Sequence, residues 1–144
     1  MVILSSIVQL FSNRANHTTD SSWYNTLMHK LVILIPSTHS LDFDSHWAKF
    51  LHAAERIPGL RREATSRVNQ LLFGQLRCEL IHELFFDTYA DLEYGLNSPE
   101  GQQAGQLLQA ITGGQMVLLL AEHNQDELEH IRQFKIEPRP GDSA

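Results

Sequence analysis

Five consecutive apolar residues, Leu31 to Ile35, run up to Pro36 and stop there, and three of the five are β-branched. That length, composition and endpoint favour a strand over a helix. A second run, Gln115 to Ala121, is almost wholly apolar and follows Gly113 and Gly114. A strand with one wet face alternates apolar and polar side chains, whereas one that is apolar at successive positions is covered on both faces. Any fold for this chain must therefore place something on each side of the sheet that holds these two strands.

The sequence between them supplies the rest of the sheet and one cover. Asp42 or Asp44 can cap a helix carrying Phe43, Trp47, Phe50, Leu51 and Ala54 at helical spacing, closed by Pro58 and Gly59. Leu60 to Val68 alternates, with Leu60, Ala64 and Val68 on one face and Arg61, Glu63, Thr65 and Arg67 on the other. Arg77 to Phe86 alternates again, Cys78, Leu80, His82, Leu84 and Phe86 against Arg77, Glu79, Ile81, Glu83 and Phe85. A short connection, Asn69 to Gly74, makes these two strands an antiparallel hairpin. Asp87 or Thr88 then caps a helix over Tyr89 to Leu96, and Ser98 with Pro99 starts a further helical segment to Ile111.

The order β, α, β, β, α, β predicts an α+β, ferredoxin-like fold with a four-stranded antiparallel sheet. Helices on one face leave an apolar patch of several hundred Å² on the other, more than soluble monomers normally expose. Face-to-face pairing of two sheets in a twofold homodimer is the economical cover, giving a dimeric α/β barrel with a chamber between the sheets. The domain is expected over 28–123, with a flexible extension over 1–27 and a tail over 124–144. The patterned sequence begins abruptly at His29, which makes Met28 a candidate start.

With 144 residues, 42% hydrophobic and 19% charged, the chain has the size and composition of one soluble domain. A formal charge of -6 leaves no broad basic field, so nucleic acid is not an expected partner. Arg61, Arg62 and Arg67 beside Glu63 read as paired strand residues. Cys78 is the only cysteine, which excludes an intrachain disulfide and agrees with a cytoplasmic location. The apolar stretch Val2 to Phe11 lacks a basic flank and is too short to span a bilayer, so no signal peptide and no membrane association are expected.

Several of these segments together resemble the EthD-like family of dimeric α/β-barrel proteins. They are LVILIP at Leu31 to Pro36, the helix Phe43 to Ile57, PGLRREATSRV at Pro58 to Val68, HELFFD at His82 to Asp87, SPEGQQAG at Ser98 to Gly105 and ITGG at Ile111 to Gly114. The resemblance implies a homodimer with a chamber between two sheets and a small-molecule role, with some relatives described as oxidoreductase-like or as dehydratase and decarboxylase domains. The His-x-Pro sequence that many of these proteins carry in the first helix has no full counterpart, since Leu51, His52, Ala53 and Ala54 stand there. His52 is the nearby imidazole.

Familiar catalytic motifs are incomplete. His82-Glu83 begins like a zinc-protease motif, but Phe86 stands where the second imidazole is needed. Glu79 and His82 point to opposite faces of a strand, and Glu127 with His130 lacks further carboxylates, so no metal and no cofactor are expected. What remains is the polar face of the hairpin. If Arg67 lies opposite Glu79, Glu63 comes near Glu83, and two close carboxylates raise one pKa and create a general acid or base. Glu83 is thus the expected proton-transfer group, with Arg61, Glu63, Thr65 and Arg67 orienting the polar parts of a hydrophobic or aromatic ligand. The alternative for these charges is a set of cross-strand salt bridges. His82 reads first as a hydrogen-bonded core histidine and, if the faces are reversed, as the leading base. Trp47 and Phe50 read as core or as the walls of an aromatic pocket. The expected function is small-molecule binding in the chamber with cofactor-independent oxygenase, isomerase or lyase chemistry, against a non-catalytic carrier or interaction module of a degradation system.

Overall fold

The computed structural model describes residues 27–37 and 42–125. Strand β1 (Met28–Ile35), helix α1 (Phe43–Ala54), strands β2 (Leu60–Arg67) and β3 (Leu80–Phe86), helices α2 (Tyr89–Asn97) and α3 (Pro99–Thr112), and strand β4 (Val117–His123) follow in that order. The sheet runs β2-β3-β1-β4 with every neighbouring pair antiparallel. This is the expected ferredoxin-like arrangement, with the second crossover made of two helices. Residues 1–26, 38–41 and 126–144, and with them most of the expected extension and tail and the Glu127–His130 spacing, lie outside the described residues.

Alternation divides the central strands into two faces. Leu31, Ile33 and Ile35 of β1 and Leu80, Leu84 and Phe86 of β3 are all buried beneath the helices. They pack on Phe43, Phe50, Ala53 and Ala54 of α1, Leu92 and Leu96 of α2, and Ala104 and Leu108 of α3. Each such large side chain withdrawn from water contributes roughly 1.5–3 kcal/mol. Thr88 caps α2 by accepting from the Asp91 amide at 3.0 Å, and Ser98 caps α3 by accepting from the Gly101 amide at 3.0 Å. Asp42 occupies the position before α1 without a side-chain capping bond. Gly113 ends α3 in the left-handed conformation, φ 62°.

Element boundaries differ from the expected ones where pairing, not hydrophobicity, decides. β1 begins at Met28 because His29 and Lys30 keep partners on both sides. β3 begins at Leu80 rather than Arg77, so the connection from β2 covers residues 68–79 and is not a tight hairpin turn. β4 runs two residues later than the apolar run suggested.

On the other face the register aligns Ser66, Ile81, Leu34 and Val117 in one row and Ala64, Glu83, Val32 and Leu119 in the next. No described helix covers this face, and Val117 and Leu119 remain 41% and 47% exposed. No helix of the described residues is long and apolar enough to cross a membrane.

Candidate functional site

The polar residues of β2 meet β3 on the helical side of the sheet. Leu60 pairs with Phe86 and Arg62 with Phe85, so a β-bulge takes up Arg61. From there the register is regular, and Glu63, Thr65 and Arg67 stand opposite Leu84, His82 and Leu80. Directly paired residues share a face. Glu63 and Thr65 therefore lie with His82 on the face that α1 covers, and Glu83 lies on the opposite face beside Ala64.

His82 is wholly enclosed, with 0% of its surface exposed. Its ring stands edge-on to Trp47 and to Phe50, at centroid distances of 5.3 and 5.6 Å. Both aromatics come from α1, where Phe43, Trp47 and Phe50 recur at the spacing of one helical stripe, and Trp47 stacks on Phe43 at 5.9 Å. Thr65 Oγ1 lies 2.8 Å from His82 Nδ1. Nε2 is buried, has no aligned hydrogen bond, and has the Glu63 carboxylate 3.4 Å away. Burial pushes the His82 pKa down to about 4, partly opposed by the negative charge of Glu83, so the imidazole is neutral at pH 7. Burial also raises the Glu63 pKa, helped by the charge of Glu55. Thr65 is exposed as a residue, although its bond to His82 is partly buried, and the Glu63 side chain is 23% exposed, so the group is reached from outside at these two residues rather than at the imidazole.

Chemically this is a hydroxyl, an imidazole and a carboxylate in sequence. When the Thr65 hydroxyl donates to Nδ1, the imidazole hydrogen resides on Nε2 and faces the Glu63 carboxylate. A carboxylate whose proton affinity has been raised is the better matched general base at neutral pH, and the enclosed imidazole holds its orientation. Among the described residues no group of three or more His, Cys, Asp or Glu could hold a metal ion.

The other expected site residues lie elsewhere. Glu83 pairs with Lys30 on the uncovered face, Nζ to Oε1 2.5 Å. The expected approach of Glu63 to Glu83 is thus corrected: the two carboxylates point to opposite sides of the sheet, because Thr65, not Ala64, is paired with His82. Arg67 does reach Glu79, at 3.4 Å, but at the exposed edge. Arg61, thrown outward by the bulge, pairs with Asp87 at 3.2 Å. His52 lies on the outer surface of α1, 65% exposed at its side chain, with Nδ1 2.7 Å from Glu55 Oε1 and Nε2 2.8 Å from Arg56. Of the expected set, Glu63, Thr65, His82 and Trp47 come together; Glu83, His52, Arg61 and Arg67 do not. Two residues escaped sequence reasoning. Glu55 acts on Glu63 by charge alone, from a different element, and leaves no local signal. Lys30 shares the parity of Val32 and would have been found had β1 been extended past its apolar run.

No protein-family model matches the chain. No curated protein is detectably similar to it either. Solved structures are similar in shape. An EthD (ethyl tert-butyl ether d) family protein from Bacillus halodurans is 24% identical with a TM-score of 0.62, over 67% of this chain and 98% of that one. A dimeric ferredoxin-like protein of unknown function from Jannaschia sp. CCS1 is 18% identical with a TM-score of 0.53, over 67% and 99%. SnoaB, a cofactor-independent oxygenase from Streptomyces nogalater, is 14% identical with a TM-score of 0.52, over 72% and 98%. Identities this low speak for the backbone and not for the chemistry. The resemblance read from the segments around Leu31, His82 and Ser98 is therefore met at the level of architecture: the chain is similar to an EthD family protein and has its α+β, ferredoxin-like fold.

Proposed function

We propose that this protein is a homodimer, paired through the uncovered faces of its sheets, that binds a hydrophobic or aromatic small molecule beside α1 and moves a proton through Glu63. His82 and Thr65 are the positioning residues and the partly buried Trp47 is the aromatic wall, backed by Phe50 in the core. The observation that carries this reading is the enclosed, neutral imidazole held between a hydroxyl and a carboxylate, with one buried nitrogen left without an aligned partner. An unpaired buried polar atom costs about 1–3 kcal/mol, and the Glu63 carboxylate, 3.4 Å from that nitrogen, is the group placed to remove the cost. Proton abstraction needs no resident cofactor, which fits the description of the similarly folded Streptomyces oxygenase as cofactor-independent. The ligand position differs from an inter-sheet chamber because the polar groups that would orient a ligand stand on the helical side. The uncovered face, apolar at Val32, Leu34, Ile81, Val117 and Leu119, suits contact with a second sheet. A cytoplasmic location is part of this reading and rests on the lone Cys78.

The test is a panel of hydroxylated aromatic compounds, with binding followed by Trp47 fluorescence in a Trp23→Phe background and conversion followed by mass spectrometry. Glu63→Gln is expected to retain binding and to lower turnover by 100-fold or more. Full turnover in that variant removes the assigned role. Binding without conversion in the unaltered protein supports the carrier instead.

A further inference from the structure

The connection between β2 and β3 carries four large apolar side chains in the open. Leu71, Leu72, Phe73 and Leu76 are 48%, 86%, 96% and 54% exposed. Single exposed apolar residues are ordinary, but four within six positions, with no charged residue among 71–76, form a patch that calls for a partner. We propose that this segment is an arm that docks on a second copy of the same chain, against Val117 and Leu119 of that copy's uncovered sheet face. The inference rests on the dimer reading above and extends it.

Geometry selects the occupant. The arm leaves the sheet at the end where Ser66, Ile81, Leu34 and Val117 form a row, since the Val68 amide donates to Glu79 O and the Glu79 amide to Ile35 O at that end. The exposed large apolar side chains of the uncovered face lie in this row and the next, at Val117 and Leu119 on the opposite edge strand. The far end is already filled: Phe85 is 2% exposed, with Arg62 over its ring at 4.0 Å and His123 edge-on at 5.0 Å. A twofold axis parallel to the strands, lying between two stacked sheets, keeps like ends together and sets the β2 edge of each copy over the β4 edge of the other. It therefore carries each arm to the other copy's Val117 and Leu119, and each apolar group finds its complement twice, as a self-complementary interface requires. Stable interfaces remove about 800 Å² per partner, and the arm adds its side chains to a sheet face that is continuous with it.

The experiment uses the full-length chain in a Cys78→Ser background. Phe73→Cys combined with Val117→Cys is expected to give a disulfide-linked dimer under mild oxidation, and neither single variant should. Leu72→Ser with Phe73→Ser should raise the dimer dissociation constant at least tenfold in sedimentation equilibrium, with an unchanged circular dichroism spectrum. A linked dimer from Phe73→Cys alone would mean that arm meets arm, and would overturn the docking on Val117. An unchanged dissociation constant without cross-linking overturns the arm while leaving the sheet-to-sheet dimer intact. A monomer of the unaltered protein at micromolar concentration overturns both.

Discussion

Thr65 and His82 are directly opposite each other on β2 and β3, and the threonine hydroxyl lies 2.8 Å from the imidazole Nδ1. That pairing places Glu63 and the buried ring on one face and leaves Glu83 on the other.

His82 is neutral in the fold because burial lowers its pKa from 6.5 to about 4. The unfolded chain binds the proton first as pH falls, so the contribution of this group is fully present above about pH 6.5 and is lost progressively toward pH 4. The loss amounts to roughly 3 kcal/mol across that window. Urea unfolding at pH 7 and pH 4.5 should show it, and His82→Phe should flatten this part of the profile. An unchanged slope in that variant would place the acid sensitivity elsewhere.

Glu63 acts with the opposite sign. Its folded pKa is raised, so its protonated form is the one the fold favours, and its contribution is lost as pH rises through the folded value. Glu63→Gln should therefore be at least as stable as the unaltered protein at pH 7. A large destabilisation at that pH would show that the carboxylate is a structural anchor.

The Lys30–Glu83 pair lies on the face assigned to the dimer, with side chains only 16% and 21% exposed. Removing one member of a pair that becomes desolvated strands the other charge. Glu83→Gln should weaken dimerisation by roughly 10- to 100-fold, about 1.4–3 kcal/mol, while Lys30→Met with Glu83→Met should restore it. Equal dissociation constants for all three proteins would put this face outside the interface.

Gly95 lets α2 lie against the turn after α1. A methyl group there would come 2.5 Å from the Pro58 carbonyl oxygen and 2.9 Å from Ile57 Cγ2. Neither backbone nor buried isoleucine can withdraw freely, so Gly95→Ala should cost roughly 3 kcal/mol, the upper end for overpacking, measurable as a shift of the urea midpoint. A shift of a few tenths would mean that the turn yields.

The sequence by itself determined the order of elements, the apolar stripe of α1, the cap at Ser98, and the division of β3 into two alternating sets, and it narrowed the cap of α2 to Asp87 or Thr88, of which Thr88 is the one that accepts the bond. These follow from periodicity and short-range hydrogen bonding, which are properties of neighbouring residues. It also grouped Glu63, Thr65 and Arg67 on one face of β2. Which set of β3 this group would meet was decided only by tertiary structure. A strand has a period of two, so a slip of one residue exchanges every partner between faces, and the bulge at Arg61 separates Leu60 from the parity of Ala64. The charges had suggested that Glu63 stands with Glu83. Burying Leu80, Leu84 and Phe86 under the helices carried His82 inward with them, and the cross-strand register then supplied Thr65 as its partner.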